Sequence, residues 1–189
     1  MMIRLSSFLL FLFILSGCRH PASPISKIDD KTFKAYWNQG KAEISSYALD
    51  QTLEGHHYTG TSVMTFTPED FSRSKQFKID EPKKHPNDDV KVMKLNLNEQ
   101  FVTGINPYHL MTSVFLPLDY DKDPHSLKWV ASVQDWNGQW FVQGNWKGHR
   151  YEVNAYSYFE SEGDTRSTIV NTFLEDEIWT KIRVSPNTL

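Results

Sequence analysis

The stretch WVASVQDWNGQWFVQGNWKGHRYEVNAYSYF, residues 129–159, decides the fold. Two dipeptides divide it. Asn137-Gly138 is the pair preferred by a type I′ hairpin turn, in which both central positions take positive φ, and Lys147-Gly148 reads as a second two-residue turn. Pairing around the first sets Trp140 opposite Asp135 and Val142 opposite Val133. Pairing around the second sets Val142 opposite Val153, Trp140 opposite Ala155 and Gly144 opposite Tyr151. Both registers put Ala131, Val133, Trp140, Val142, Tyr151, Val153 and Ala155 on one face. The other face carries Ser132, Gln134, Gln139, Gln143, Glu152 and Asn154, with Trp136 and Phe141 as aromatic exceptions. Two independent turns that agree on one apolar face predict a three-strand antiparallel meander with one wet side.

The same period of two recurs upstream. Met93, Leu95 and Leu97 alternate as on a half-buried strand, and so do Ala42 and Ile44. Ser45-Ser46 interrupts the second alternation before Tyr47 and Leu49, which predicts a bulge. Residues 29–38 read as a short helix, with Phe33, Tyr36 and Trp37 at helical spacing and Gly40 just beyond. Residues 81–89, with Pro82 and Pro86, read as a loop, and so do residues 160–164. Thr172 followed by Glu175 matches a capping box, ahead of an apolar stripe of Ile178, Trp179 and Ile182 that Pro186 would stop. The end at Leu189, where another element would begin, predicts relatives that run further. The expected fold is mainly β: an antiparallel meander forming a curved sheet or half-barrel, with one or two short helices packed on it.

Composition narrows the class. The 189 residues are 39% hydrophobic and 23% charged with a formal net charge of -3, which suits one domain, residues 29–189, behind a short tail. A mean hydropathy of -0.51 excludes a polytopic membrane protein. Twelve Phe, eight Tyr and six Trp exclude a disordered chain. An isoelectric point near 6.1 and the lack of a basic block argue against nucleic acid as a partner.

The first residues carry an address. Arg4 precedes an apolar run, and residues 5–17 are too few to cross about 30 Å of hydrocarbon as a helix, so residues 1–17 read as a secretory signal peptide. The run closes with Leu15-Ser16-Gly17-Cys18, which resembles the lipobox of bacterial lipoproteins. That resemblance implies cleavage between Gly17 and Cys18, a diacylglycerol on the Cys18 sulfur, and, with Arg19 rather than Asp next, sorting to the outer membrane. The lone cysteine fits: it has no intrachain disulfide partner in an oxidising compartment, whereas a lipid needs one sulfur. Each buried methylene contributes about 0.8 kcal/mol, so two or three acyl chains hold firmly. Residues 18–28, with Pro21 and Pro24, then form a lipidated cysteine and tether.

Motifs for chemistry are sparse. Asp119, Asp121 and Asp123 alternate as in calcium loops, but Pro124 and Val130 occupy the glycine and glutamate positions, so a solvated acidic turn is the better reading. His56 and His57 are adjacent and would face opposite sides of a strand, and His109 lies in an apolar run, as a packed residue or a ligand. No metal or cofactor is expected. Glu69-Asp70 and the cluster Glu160, Glu162 and Asp164 are the carboxylates that acid–base or glycoside chemistry would use. Nucleophile-elbow, P-loop, Rossmann and zincin patterns are absent. Trp136 and Phe141, aromatics on a polar face, are candidates for stacking on a sugar or meeting a protein.

Several segments resemble a set of bacterial lipoproteins without an assigned activity that circulate under the label septum formation inhibitor Maf. They are GKAEISSY from Gly40, TPEDF from Thr67, TGINPY from Thr103, QDWNG from Gln134, SYFE from Ser157 and IWTKIR from Ile178. The similarity covers most of residues 40–189. True Maf proteins are cytosolic α/β nucleotide pyrophosphatases with a serine-rich, arginine-containing motif near the start. This chain lacks that motif, carries an export signal and reads as β. The resemblance therefore implies an envelope lipoprotein and transfers no catalytic residue.

The expectation is an outer-membrane-anchored binding or interaction module, partnered by the membrane through its anchor and by a lipid or an envelope protein. The alternatives are an exported hydrolase using Glu69, Asp70 or residues 160–164, and a structural envelope protein tied to septum formation by the label alone.

Overall fold

The computed structural model describes residues 30–53, 55–170 and 172–186; the signal segment, Gly17, Cys18 and the tether lie outside them. After α1 (Asp30–Trp37) come eight strands: β1 (Glu43–Leu53), β2 (His56–Ser72), β3 (Asp89–Thr103), β4 (Asn106–Pro117), β5 (Lys128–Asp135), β6 (Gly138–Trp146), β7 (Arg150–Ser157) and β8 (Thr165–Val170). A short helix, α2 (Ile178–Val184), follows. Each strand pairs antiparallel with the next, giving one open sheet in the order β1 to β8. The meander expected of three strands thus runs through all eight. Sequential hairpins need only short turns, and Gly104 and Gly148 supply the positive φ at two of them.

Both expected registers are off by two residues. Val133 faces Trp140 and Asp135 faces Gly138, so the first loop is Trp136-Asn137. Val142 faces Ala155 and Gly144 faces Val153, so the second loop is Gly148-His149. A slip of two preserves the face of every side chain, which is why the apolar set survived the error. The type I′ reading fails as well, because neither Asn137 nor Gly138 has positive φ. Glycine is needed at 138 for room: a Cβ there would come within 2.9 Å of the Tyr158 and Phe159 rings.

Three further expectations are corrected. Register between β1 and β2 runs unbroken from Glu43 to Leu53, so Ser45-Ser46 makes no bulge. Ile44 is 68% exposed, because Glu43 and Ser45 take the sheltered side of the strand, and Ala42 is exposed ahead of it. The Thr172 hydroxyl turns to the Phe173 carbonyl, so no capping box forms, and Ile178, Trp179 and Ile182 stay half exposed. Met93, Leu95 and Leu97 do point inward as expected.

The inner face of β2–β4 holds the main core of Met64, Phe66, Met93, Leu95 and Val114, closed by Trp37 and Phe33 from α1 and Val184 from α2. Arg183 lies 3.5 Å above the Phe66 ring, and its Nε donates to Glu43 Oε1 at 2.8 Å. The turn ahead of α2 is fastened by a buried acid. Glu177 is fully buried, and its Oε1 accepts the Ser126 N–H at 2.7 Å and lies 3.2 Å from the Tyr151 hydroxyl. Burial, then the Glu177 charge, push the Tyr151 phenol far above its ordinary range, so it stays protonated as a donor. On the outer face, Phe71, Val92 and Phe115 form a smaller cluster at one end. Beyond it, over β5–β7, no helix among the described residues lies on the outer face.

Candidate functional site

Pairing across the strands arranges outer-face side chains in rows. Asn98, Met111, Ser132, Phe141 and Tyr156 are consecutive partners from β3 to β7. One step along, Gln100, His109, Gln134 and Gln139 form a second row, which Tyr158 extends by donating its N–H to the Gln139 carbonyl at 3.2 Å. The first row is aromatic at its β6–β7 end and the second is mostly amide.

The rows bound a hollow of about 520 Å³ whose lining includes Ser132, Gln134, Gln139, Phe141, Tyr156, Tyr158 and Asp164. Phe141 and Tyr156 tilt together with ring centroids 6.3 Å apart. They are 36% and 48% exposed, and Tyr158 is 74% exposed. A neighbouring hollow of about 310 Å³, with His109 and Met111, shares Ser132 and Gln134 with the first. Among the described residues no lysine or arginine lines either. Such a surface offers flat apolar faces beside paired donors and acceptors, a combination that holds and orients a ligand.

Of the two expected binding residues, Phe141 lines the hollow. Trp136 is 68% exposed at the tip of the β5–β6 hairpin, where its N–H meets Asp135 Oδ1 at 2.6 Å, and it is not among the lining residues. Tyr156 escaped the sequence reading, which stopped the polar face at Asn154. Carrying the alternation one step further, 152, 154, 156, would have found it.

The expected acids do not converge. Glu69 and Asp70 are neighbours on β2 and so face opposite sides, Glu69 toward Lys94 at 3.5 Å and Asp70 paired with Lys91. Glu162 accepts the Ser157 hydroxyl at 2.5 Å. Asp123 of the acidic turn receives both terminal nitrogens of Arg73, at 2.9 and 2.7 Å, and Asp119 pairs with Lys122. His57 reaches Asp50 at 2.6 Å, and His109 is exposed. Among the described residues no group of three His, Cys, Asp or Glu is placed to hold a metal.

A second cleft, about 840 Å³, lies between the turns that carry Arg73, Asp123 and Lys147. His125 is stacked there, 4.1 Å from the Trp146 ring and 4.8 Å from Phe173. Gln76, at φ 58° the one non-glycine residue of positive φ among the described residues, clamps its wall by donating to the Trp146 carbonyl at 2.8 Å. Those bonds tie the cleft's parts to each other.

No family model, curated protein or solved structure matches the chain.

Proposed function

We propose that the chain is a lipid-anchored protein of the bacterial envelope, carried by the outer membrane, that works by binding a ligand on the outer face of β5–β7. One observation carries the binding site: Phe141, Tyr156 and Tyr158 share an open hollow instead of being packed beneath a helix. Exposed aromatics that cluster are worth more to a partner than to the monomer, which gains little from rings left in water. The anchor rests on Ser16-Gly17-Cys18 behind a short apolar run, and on Cys18 as the lone cysteine. Anchoring restricts such a module to ligands at the membrane surface, which raises their effective concentration.

The test is metabolic labelling with a palmitate analogue in cells expressing the full chain. Lipid on the wild type, its loss in Cys18→Ala, and transfer of that variant out of the outer-membrane fraction are the expected results. A chain whose mass begins at Met1 and carries no lipid would overturn the anchor.

A further inference from the structure

We infer that the ligand of this face is a neutral glycan strand lying across the sheet, from β3 to β7; this rests on the binding role just proposed. The two rows run perpendicular to the strands. Strands lie about 4.8 Å apart, so five of them give a track of roughly 19 Å. A straight polymer of similar rings fits such a track better than a compact metabolite does.

The order of side chains fits a sugar chain. A pyranose ring has an apolar face of C–H groups and a girdle of hydroxyls. Along the track, Phe141 and Tyr156 provide flat faces for the first, while Gln134, Gln139 and Ser132 provide donors and acceptors for the second. The two rows keep these functions side by side, so one ring can use both. An acetamido group would find the same amides.

Charge excludes the other linear polymers. Among the described residues neither hollow has a lysine or arginine, and the acid that lines the first is Asp164. Nucleic acid and sulfated or phosphorylated glycans need cations to replace their counterions, and Asp164 would repel them. A fatty acyl chain needs a closed apolar cavity that removes most of its surface from water. This track is open and half amide.

The probe is the tetramer of N-acetylglucosamine, titrated against the full lipidated chain in detergent micelles. Saturable binding is expected, weakened roughly tenfold by Phe141→Ala, the size of one lost stacking contact with its buried area. Gln139→Ala weakens it roughly threefold or more, a single neutral hydrogen bond. Tyr156→Phe keeps the ring and holds the affinity within about twofold, and Trp136→Ala, outside the hollow, does the same. Cooperative thermal melts that leave each variant fully folded at the assay temperature separate lost contacts from lost folding. Failure of the tetramer to saturate at millimolar concentration overturns the glycan assignment. A photo-cross-linker at position 156 then divides the cases. If it captures an envelope protein, and Phe141→Ala abolishes the capture, the binding face stands with a protein as its ligand. If it captures nothing, the binding role falls too.

Discussion

Two rows of side chains cross the same strands on opposite faces of the sheet and end very differently. On the inner face Phe66, Leu95, Val114, Trp129 and Gly144 are consecutive partners from β2 to β6. On the outer face Asn98, Met111, Ser132, Phe141 and Tyr156 are consecutive partners from β3 to β7. Both rows contain large apolar groups. The inner one is filled to contact and roofed by two helices, while the outer one ends in rings that touch solvent. Alternation alone assigns faces; what covers each face decides whether an aromatic acts as core or as a surface for something else.

Leu95→Ala breaks the comparison most severely. Its side chain is fully buried among Phe66, Met93 and Val114, so truncation costs about 2–5 kcal/mol in urea denaturation through lost burial and a cavity. Gly144→Ala acts on the same row by the opposite means. A Cβ there would sit 2.0 Å from Trp129 Nε1, and the indole, itself packed on the core, has little room to retreat. Overpacking of this kind costs about 1–3 kcal/mol. Phe141→Ala on the outer row shifts the denaturation midpoint by the equivalent of under about 1 kcal/mol, since the ring is already partly in water. Its effect appears in ligand affinity. A stability loss for Phe141→Ala as large as that for Leu95→Ala would erase the distinction between the faces.

The smallest effect sharpens the account of the roof. Burial, then Glu175 and Glu177, raise the Asp176 carboxyl above its ordinary value, and burial, then Asp176, raise Glu99. An acid with a raised folded pKa is stabilised by protons, so the folded state loses stability as pH rises from the ordinary carboxylate value through the raised one. Asp176→Asn removes that penalty and stabilises the chain at pH 7 by under about 1 kcal/mol, a gain that fades on acidification when the wild-type carboxyl takes its own proton. Asp88 behaves in the opposite sense. Hydrogen bonds from Ser72 and from the Ser74 N–H lower its pKa, so its contribution is present at neutral pH and disappears as the pH falls below the ordinary carboxylate range. Thermal melts from pH 7 to pH 3 separate the two.

What the sequence made legible follows from periods. Met93, Leu95 and Leu97 announce their face because a strand repeats every two residues, and even a register two residues off keeps that face. The turns were misjudged because Gly138 serves the rings of Tyr158 and Phe159, twenty residues on, and not a local φ. Ile178, Trp179 and Ile182 look like a buried stripe, yet a hydrophobic pattern says nothing of which partner is present; in the structure Val184 and the Arg183 guanidinium over Phe66 make the contact instead. Glu177 could not be read as a buried acid, since its partners Ser126 and Tyr151 lie far away in the chain. Phe141 was visible as an exception on a polar face and Tyr156 needed only the alternation carried one step further, whereas Tyr158, joined to Gln139 beyond the end of β7, required the true register.

The central claim is that the outer row receives a ligand while the inner row holds the fold. Amide chemical-shift mapping of the micelle-bound chain during titration with the N-acetylglucosamine tetramer tests it most directly. Saturating shifts are expected at Ser132, Gln139, Phe141 and Tyr156, with Leu95 and Val114 unmoved. Shifts confined to the inner face or to the Arg73–Lys147 cleft, or none at all, would contradict it.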